Sequence, residues 1–186
     1  MTRPGTLLLA SGLALALVAA CTKQSLQTTY DKQSGYIESF VQGKMKSDST
    51  ATLRENGGSY RLLVHDTLDV RRDSLREGGL VSLYYACFTL TGNSVSAGNL
   101  VATNLKQMAQ AAGWNLTDTT RYKLDTLRLD NTLVPGLHNG LMGVQAGDEG
   151  YILFTGKYGY GNTERGTIPA KSALVYQIWI ENVKNE

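Results

Sequence analysis

The apolar positions of this chain keep three different periods, and each predicts a different kind of element. Leu7 to Ala20, LLLASGLALALVAA, is a nearly continuous apolar run of 14 residues, shorter than the roughly 20 a membrane-crossing helix needs. Tyr36, Ile37, Phe40 and Val41 recur at helical spacing and predict a short amphipathic helix. The same period returns at Val101, Leu105 and Met108, with Gly113 as a natural stop, which predicts a helix near 100–113. A period of two marks the strands. SYRLLVHD sets Tyr60, Leu62 and Val64 on one side, and GGLVSLYYACFTLTG sets Leu83 and Tyr85 on one face. YKLDTLRLD, YILFTG and SALVYQIWIENV follow. In the last of these Leu174, Tyr176, Ile178 and Ile180 share a face, while Ala173, Val175, Gln177 and Trp179 share the other. SDSTATLRENGG reads as turns, and LVPGLHNGLMGVQAGDEG as a short helix fenced by glycines. Antiparallel strands around one short helix predict an α+β domain whose sheet wraps the helix and buries one apolar face.

The first run changes meaning once its flanks are read. Arg3 precedes it and small residues end it, as in a secretory signal. LVAAC resembles a bacterial lipobox, which implies cleavage before Cys21 and lipid attachment there. The implied order is a signal peptide at 1–20, a polar tether with a short helix at 21–58, and a folded domain at 59–186. Thr22 and Lys23 follow Cys21 with no acidic residue. By analogy with lipoprotein sorting, this favours a lipid anchor in the outer membrane, facing the periplasm.

Charge and chemistry narrow the field by exclusion. A formal net charge of +2 leaves no basic field for nucleic acid. Cys87 is the only cysteine besides Cys21 and reads as a buried apolar residue. His65 and His138 lie far apart, with no cysteine or carboxylate at ligand spacing, so no metal site is expected. Neither stands in a serine-nucleophile context. Gly159, Gly161 and Gly166 lack a following Gly-Lys-Ser/Thr and lead into a strand, which excludes a phosphate loop. Five Asp-hydroxyl pairs, at Asp48, Asp66, Asp73, Asp118 and Asp125, allow two readings. They are turn and cap residues, or they resemble an O-glycosylation sequon of bacterial envelopes.

The stretch from Leu133 to Val183 carries the most specific signal. Leu133, Val134, Gly136, Leu137, Gly140, Leu141 and Gly147 come in order, followed by the YILFTG strand. Tyr160-Gly161, Ile168-Pro169 and the alternating run Leu174, Val175, Tyr176 complete it. This order and spacing resembles the C-terminal half of FKBP-type peptidyl-prolyl isomerases. The earlier strand fits too, with Tyr85 at the family's pocket tyrosine and Gly92 at its turn. The resemblance runs from about Tyr60 to Val183, and the helical stretch near 100–121 looks like an insertion.

That resemblance implies an FKBP-like fold, catalysis without a cofactor, and proline-containing polypeptides of exported proteins as substrates. It implies that the Val134 N–H and the Tyr160 hydroxyl bind substrate carbonyls and that Leu137 forms the pocket floor. Tyr85, Leu133, Ile168 and Tyr176 complete the walls. Three departures stand out. Val95 and Ser96 fall where the family carries an aromatic residue and an aspartate, so the pocket aspartate is missing and reduced activity is implied. The loop from Gly161 to Ile168 is short. Tyr176 replaces a common phenylalanine, and its hydroxyl needs a partner if buried. The alternative is therefore an envelope binding or chaperone-like module that uses the same pocket with little catalysis.

Overall fold

The computed structural model describes residues 7–65 and 72–185, with side chains from Gln24 onward other than His65. The chain forms two units, Met1–Lys32 and Gln33–Glu186. Helix α1 runs from Leu7 to Ser47, so the stretch 22–35, expected as a tether, is helical. It carries no apolar stripe to announce a helix. Gln27 donates to Asp31 at 2.7 Å, an i,i+4 pair that favours a helix, while Thr28 and Thr29 satisfy their hydroxyls on the carbonyls four residues back at 2.9 Å. The side chain of Cys21 lies outside the described residues, as does the Asp66 pair. Among the described residues no helix is long and apolar enough to cross a membrane.

In the second unit the strands are β1 (Thr52–Asn56), β2 (Ser59–His65), β3 (Leu80–Thr89), β4 (Leu100–Thr103), β5 (Asp125–Arg128), β6 (Glu149–Phe154) and β7 (Leu174–Lys184). They make one antiparallel sheet ordered β1-β2-β6-β7-β3-β4, with β5 also paired to β3. The α+β class expected from the periods is what the chain adopts. β1 lies in the stretch read as turns. It is an edge strand, pairs only with β2 and is largely exposed, so TLREN shows no apolar alternation. The expected helix near 100–113 begins later: residues 100–103 form β4, and helix α2 is confined to Lys106–Ala111. The helical spacing at Val101 and Leu105 is overridden by the ladder of β3. At Asp48 and Asp118 the carboxylate accepts from the backbone N–H and hydroxyl of the threonine two residues on, at 2.6 to 3.0 Å, as turn-forming aspartates do.

Both faces of the sheet are covered. On the back, Ile37, Phe40 and Val41 of α1 are buried against Leu62, Leu153 and Val175, and Phe40 meets Tyr151 edge-on at 5.3 Å. Gln33 ties α1 to a loop, its amide donating to the Lys171 carbonyl at 2.5 Å and accepting from the Gly156 N–H at 2.9 Å. On the front, helix α3 (Pro135–Leu141) opens on Pro135, whose missing N–H costs nothing in the first turn. The buried Arg61 of β2 donates to the carbonyls of Gly140 and Met142 at 3.1 and 2.6 Å, a cation placed on the C-terminal end of α3.

What lets α3 lie close to the sheet is Gly136 and Gly140, four apart on its inner face. A Cβ at Gly136 would overlap the Phe154 ring, and one at Gly140 would overlap Ile152. Gly140→Ala should therefore cost about 1–3 kcal/mol through forced overpacking, read from the urea midpoint of the purified chain. An unchanged midpoint would mean that α3 does not rest on β6 this way.

Candidate functional site

A cavity of about 230 Å3 opens on the front face beside α3. That is smaller than a site for a drug-sized ligand and suits one side chain. Leu133, Leu137, Tyr85, Ile168, Tyr160 and Tyr176 all line it, so six of the seven residues expected at the site are brought together. The seventh, Val134, is not a lining residue. It is the N-cap of α3 in extended conformation, and its carbonyl accepts from Leu137 and His138. Its own N–H meets no acceptor among the described residues.

Each wall has a local cause. Leu133 and Leu137 bracket the start of α3 four residues apart, one turn of helix. Tyr85 extends from β3, and the ladder that holds it changes partner at that point. β4 pairs residues 86–88 and β5 pairs residues 80–83. Asn104 bridges the gap: its side chain accepts from the Tyr85 N–H at 2.7 Å and donates to the Leu83 carbonyl at 3.0 Å. Thr103 Oγ1 donates to the Tyr85 carbonyl at 2.7 Å. Ile168 arrives on a tight turn closed by reciprocal backbone bonds with Arg165, and Thr167 Oγ1 donates to the Val101 carbonyl at 2.8 Å. The Tyr160 ring stands 6.0 Å from the Arg165 guanidinium, and its hydroxyl bonds to no group among the described residues.

Behind these walls the aromatic rings form a series. Phe154 stacks on Tyr176 at 6.0 Å, and Tyr176 meets Tyr85 at 6.0 Å. Tyr176 sits opposite Cys87 in the β3–β7 register. Burial pushes the Cys87 thiol up to about 12, and burial raises the Tyr176 phenol well above its ordinary value. Tyr85 is raised first by burial and then by the nearby Asp125 carboxylate.

Four lining residues were not expected: Leu83, Ala102, Asp125 and Leu127. Leu83 and Leu127 were visible as alternating strand positions. Ala102 and Asp125 gave no signal, because their place depends on where the insertion enters the sheet. Val95 and Ser96, set against the family's aromatic and aspartate, instead face a different cavity on the back of the sheet. A register shift in the pairing of β3 with β4 sends Ala102 to the front opposite Cys87, and Leu100 to the back opposite Phe88. The pocket is consequently not without a carboxylate. Asp125 supplies one from β5, the strand after the insertion. His138 lies away from the cavity, within 2.8 Å of Glu77.

The model of the FKBP-type peptidyl-prolyl cis-trans isomerases matches residues 74–181, more than half of the chain. The chain belongs to this family. Among solved structures, the three FKBP domains of wheat FKBP73 superpose with a TM-score of 0.55 at 14% identity, covering 73% of this chain and 52% of that one. FkpA from Escherichia coli superposes with a TM-score of 0.54 at 14% identity, covering 98% of this chain and 74% of that one. This FKBP-type chain thus spans about half the length of the wheat structure. At such identity the likeness carries the fold alone. No curated protein sequence matches it.

A buried thiol gives a pH test of the FKBP-type core. Its unfolded counterpart ionises near the ordinary 9.0, whereas the folded thiol holds its proton to about 12. Stability is therefore complete below about pH 9 and falls as pH rises toward about 12, because the unfolded chain loses the proton first. The raised Tyr85 and Tyr176 phenols act in the same direction. Urea midpoints across this range should decline less steeply in Cys87→Ala; an equal decline would show that the thiol is not held protonated.

Proposed function

We propose that the chain catalyses cis–trans isomerisation of X–Pro bonds, with the front cavity as its prolyl pocket. The observation that carries this reading is the enclosure of Tyr85, Leu133, Leu137, Tyr160, Ile168 and Tyr176 around one apolar space of side-chain size. Rotation about a peptide bond meets a barrier of about 18–20 kcal/mol because resonance holds the amide planar. No covalent bond is made or broken, so the reaction calls for neither nucleophile nor metal. An apolar wall removes water from the amide and so favours its twisted, less polar form.

The chain's own groups divide the work. Leu137 and Leu133 seat the prolyl ring from α3, with Ile168 opposite. The Val134 N–H and the Tyr160 hydroxyl, both without internal acceptors, hold carbonyls flanking the bond. Tyr85 and Tyr176 form the aromatic back wall. Asp125 sets a negative charge at the rim, where it favours a neighbouring backbone N–H or a cationic residue of the substrate.

Accelerated isomerisation of a proline-containing test peptide by the purified chain is the expected result. No acceleration over blank would leave the binding-module reading in its place. Leu137→Asp, which sets a charge on the pocket floor, should abolish the acceleration while the near-ultraviolet dichroism stays folded. Tyr160→Phe keeps the ring and loses one hydrogen bond, worth about 0.5–1.5 kcal/mol, so kcat/KM should fall about 2- to 10-fold. A folded Leu137→Asp chain with full activity would put the site elsewhere.

The same reading places the enzyme in the cell envelope, anchored through a lipid on Cys21 and acting on exported polypeptides. The support is the LVAAC sequence behind a 14-residue apolar run. Intact-mass measurement on the native protein should show cleavage before Cys21 and added acyl mass, absent in Cys21→Ser. An unmodified mass would remove the anchor without touching the pocket.

A further inference from the structure

The back of the sheet carries a second cavity of about 490 Å3, a volume within the range of small-molecule sites. Phe40 and Lys44 of α1, Phe88 of β3, Tyr151 of β6, Leu100 of β4 and Met108 of α2 contribute its main walls. Polar groups from the loop before β4 and from β7, among them Asn93, Ser94 and Gln177, also line it. Met108 and Ala111 of α2 and residues 93–97 leading into β4 close one side of it.

Charge decides what such a space would accept. Its lining holds no aspartate or glutamate and a single cation, Lys44. The partly buried ammonium donates to the Tyr151 hydroxyl at 3.1 Å and lies 4.8 Å from the Tyr151 ring centre and 5.6 Å from that of Phe40. It has no ion pair among the described residues. Ring faces and a phenol offset only part of the hydration an ammonium loses on partial burial. A carboxylate would add a charge-assisted bond that neither ring can give. Beside this cation the wall is apolar, from Phe88 and Leu100 to Met108, and it offers no second charge.

We infer that this cavity binds a small amphipathic monocarboxylate, with the carboxylate on Lys44 Nζ and the apolar chain against Phe88, Leu100 and Met108. The site lies across the sheet from the prolyl pocket and does not rest on the isomerase reading.

Titration calorimetry of the full chain with decanoate, below the concentration at which decanoate aggregates, tests it. Saturable binding at one site is expected, with Trp114 fluorescence changing in step, since Trp114 packs on the Ala86, Phe88 and Leu100 cluster. Decanol, which keeps the chain and lacks the charge, should bind at least about tenfold more weakly, as one lost charge-assisted bond implies. Lys44→Met should weaken decanoate to the same degree, and Lys44→Arg should restore it. Gly43→Phe is the blocking variant: Gly43 lines the cavity and an added Cβ meets nothing within 4 Å, so the fold should be kept and binding lost. Peptide isomerisation should be unchanged in all three variants. Absence of saturable decanoate binding, equal affinity for decanol, or full binding by Gly43→Phe would each overturn the inference and leave the prolyl-pocket reading standing.

Discussion

The contact on which the rest of this domain depends is the seating of α3 directly on β6, with Gly136 over Phe154 and Gly140 over Ile152. The helix is only seven residues long, too short to persist alone in water, so tertiary packing must hold it. Its approach fixes Phe154, which stacks on Tyr176, which in turn meets Tyr85. The same approach brings Leu133 and Leu137 to the pocket and leaves the Val134 N–H without an acceptor among the described residues at the helix start. Arg61 secures the other end by bonding the carbonyls that α3 leaves unpaired. One helix–strand contact thus sets the floor, the back wall and the candidate backbone donor together.

A second constraint acts on the opposite wall. β3 must pair with two short strands in succession, β5 at residues 80–83 and β4 at residues 86–88. The break falls beside Tyr85, where an unpaired N–H and carbonyl would be costly to bury. Asn104 answers with a side-chain amide that imitates the missing strand residue, accepting from the Tyr85 N–H and donating to the Leu83 carbonyl. Tyr85 therefore keeps its place although the backbone that should flank it has left the sheet. The insertion also builds the back cavity, so one length of chain serves both faces.

How much of this was legible in the sequence depends on the range of the interactions. The strands with alternation from period two, notably β7, were plain. Their two faces divide between the two clusters as the pattern required, with Leu174, Tyr176, Ile178 and Ile180 on the pocket side. The grouping of Leu133, Leu137, Tyr160 and Ile168 followed from ordered spacing rather than from any one residue. What stayed hidden was decided by pairing. β1 is an edge strand with polar residues, and the polar stretch 22–35 is helical without an apolar stripe. Residues 100–103 have helical spacing yet complete the ladder of β3. The register shift there cannot be seen in a linear pattern, and it decides whether Leu100 or Ala102 faces the pocket. The meeting of Cys87 and Tyr176 was equally out of reach, since they are brought together only by the β3–β7 register.

The exchange of one wall for another follows from what the proposed reaction asks of a protein. Twisting an amide requires enclosure, low polarity and one or two fixed donors, but no group at a single exact position for bond making. A charge at the rim can then come from whichever strand passes the opening. Here Val95 and Ser96 line the back cavity instead, and β5 brings Asp125 to the front one. The interior is less permissive. Cys87 and Tyr176 both hold their protons through the physiological range because burial disfavours their ions. An ionised group at that depth would bring water back toward the amide and stabilise its planar, more polar form. The neutral Cys87–Tyr176 pair is therefore the part of the pocket with least freedom to vary, and the rim is the part with most.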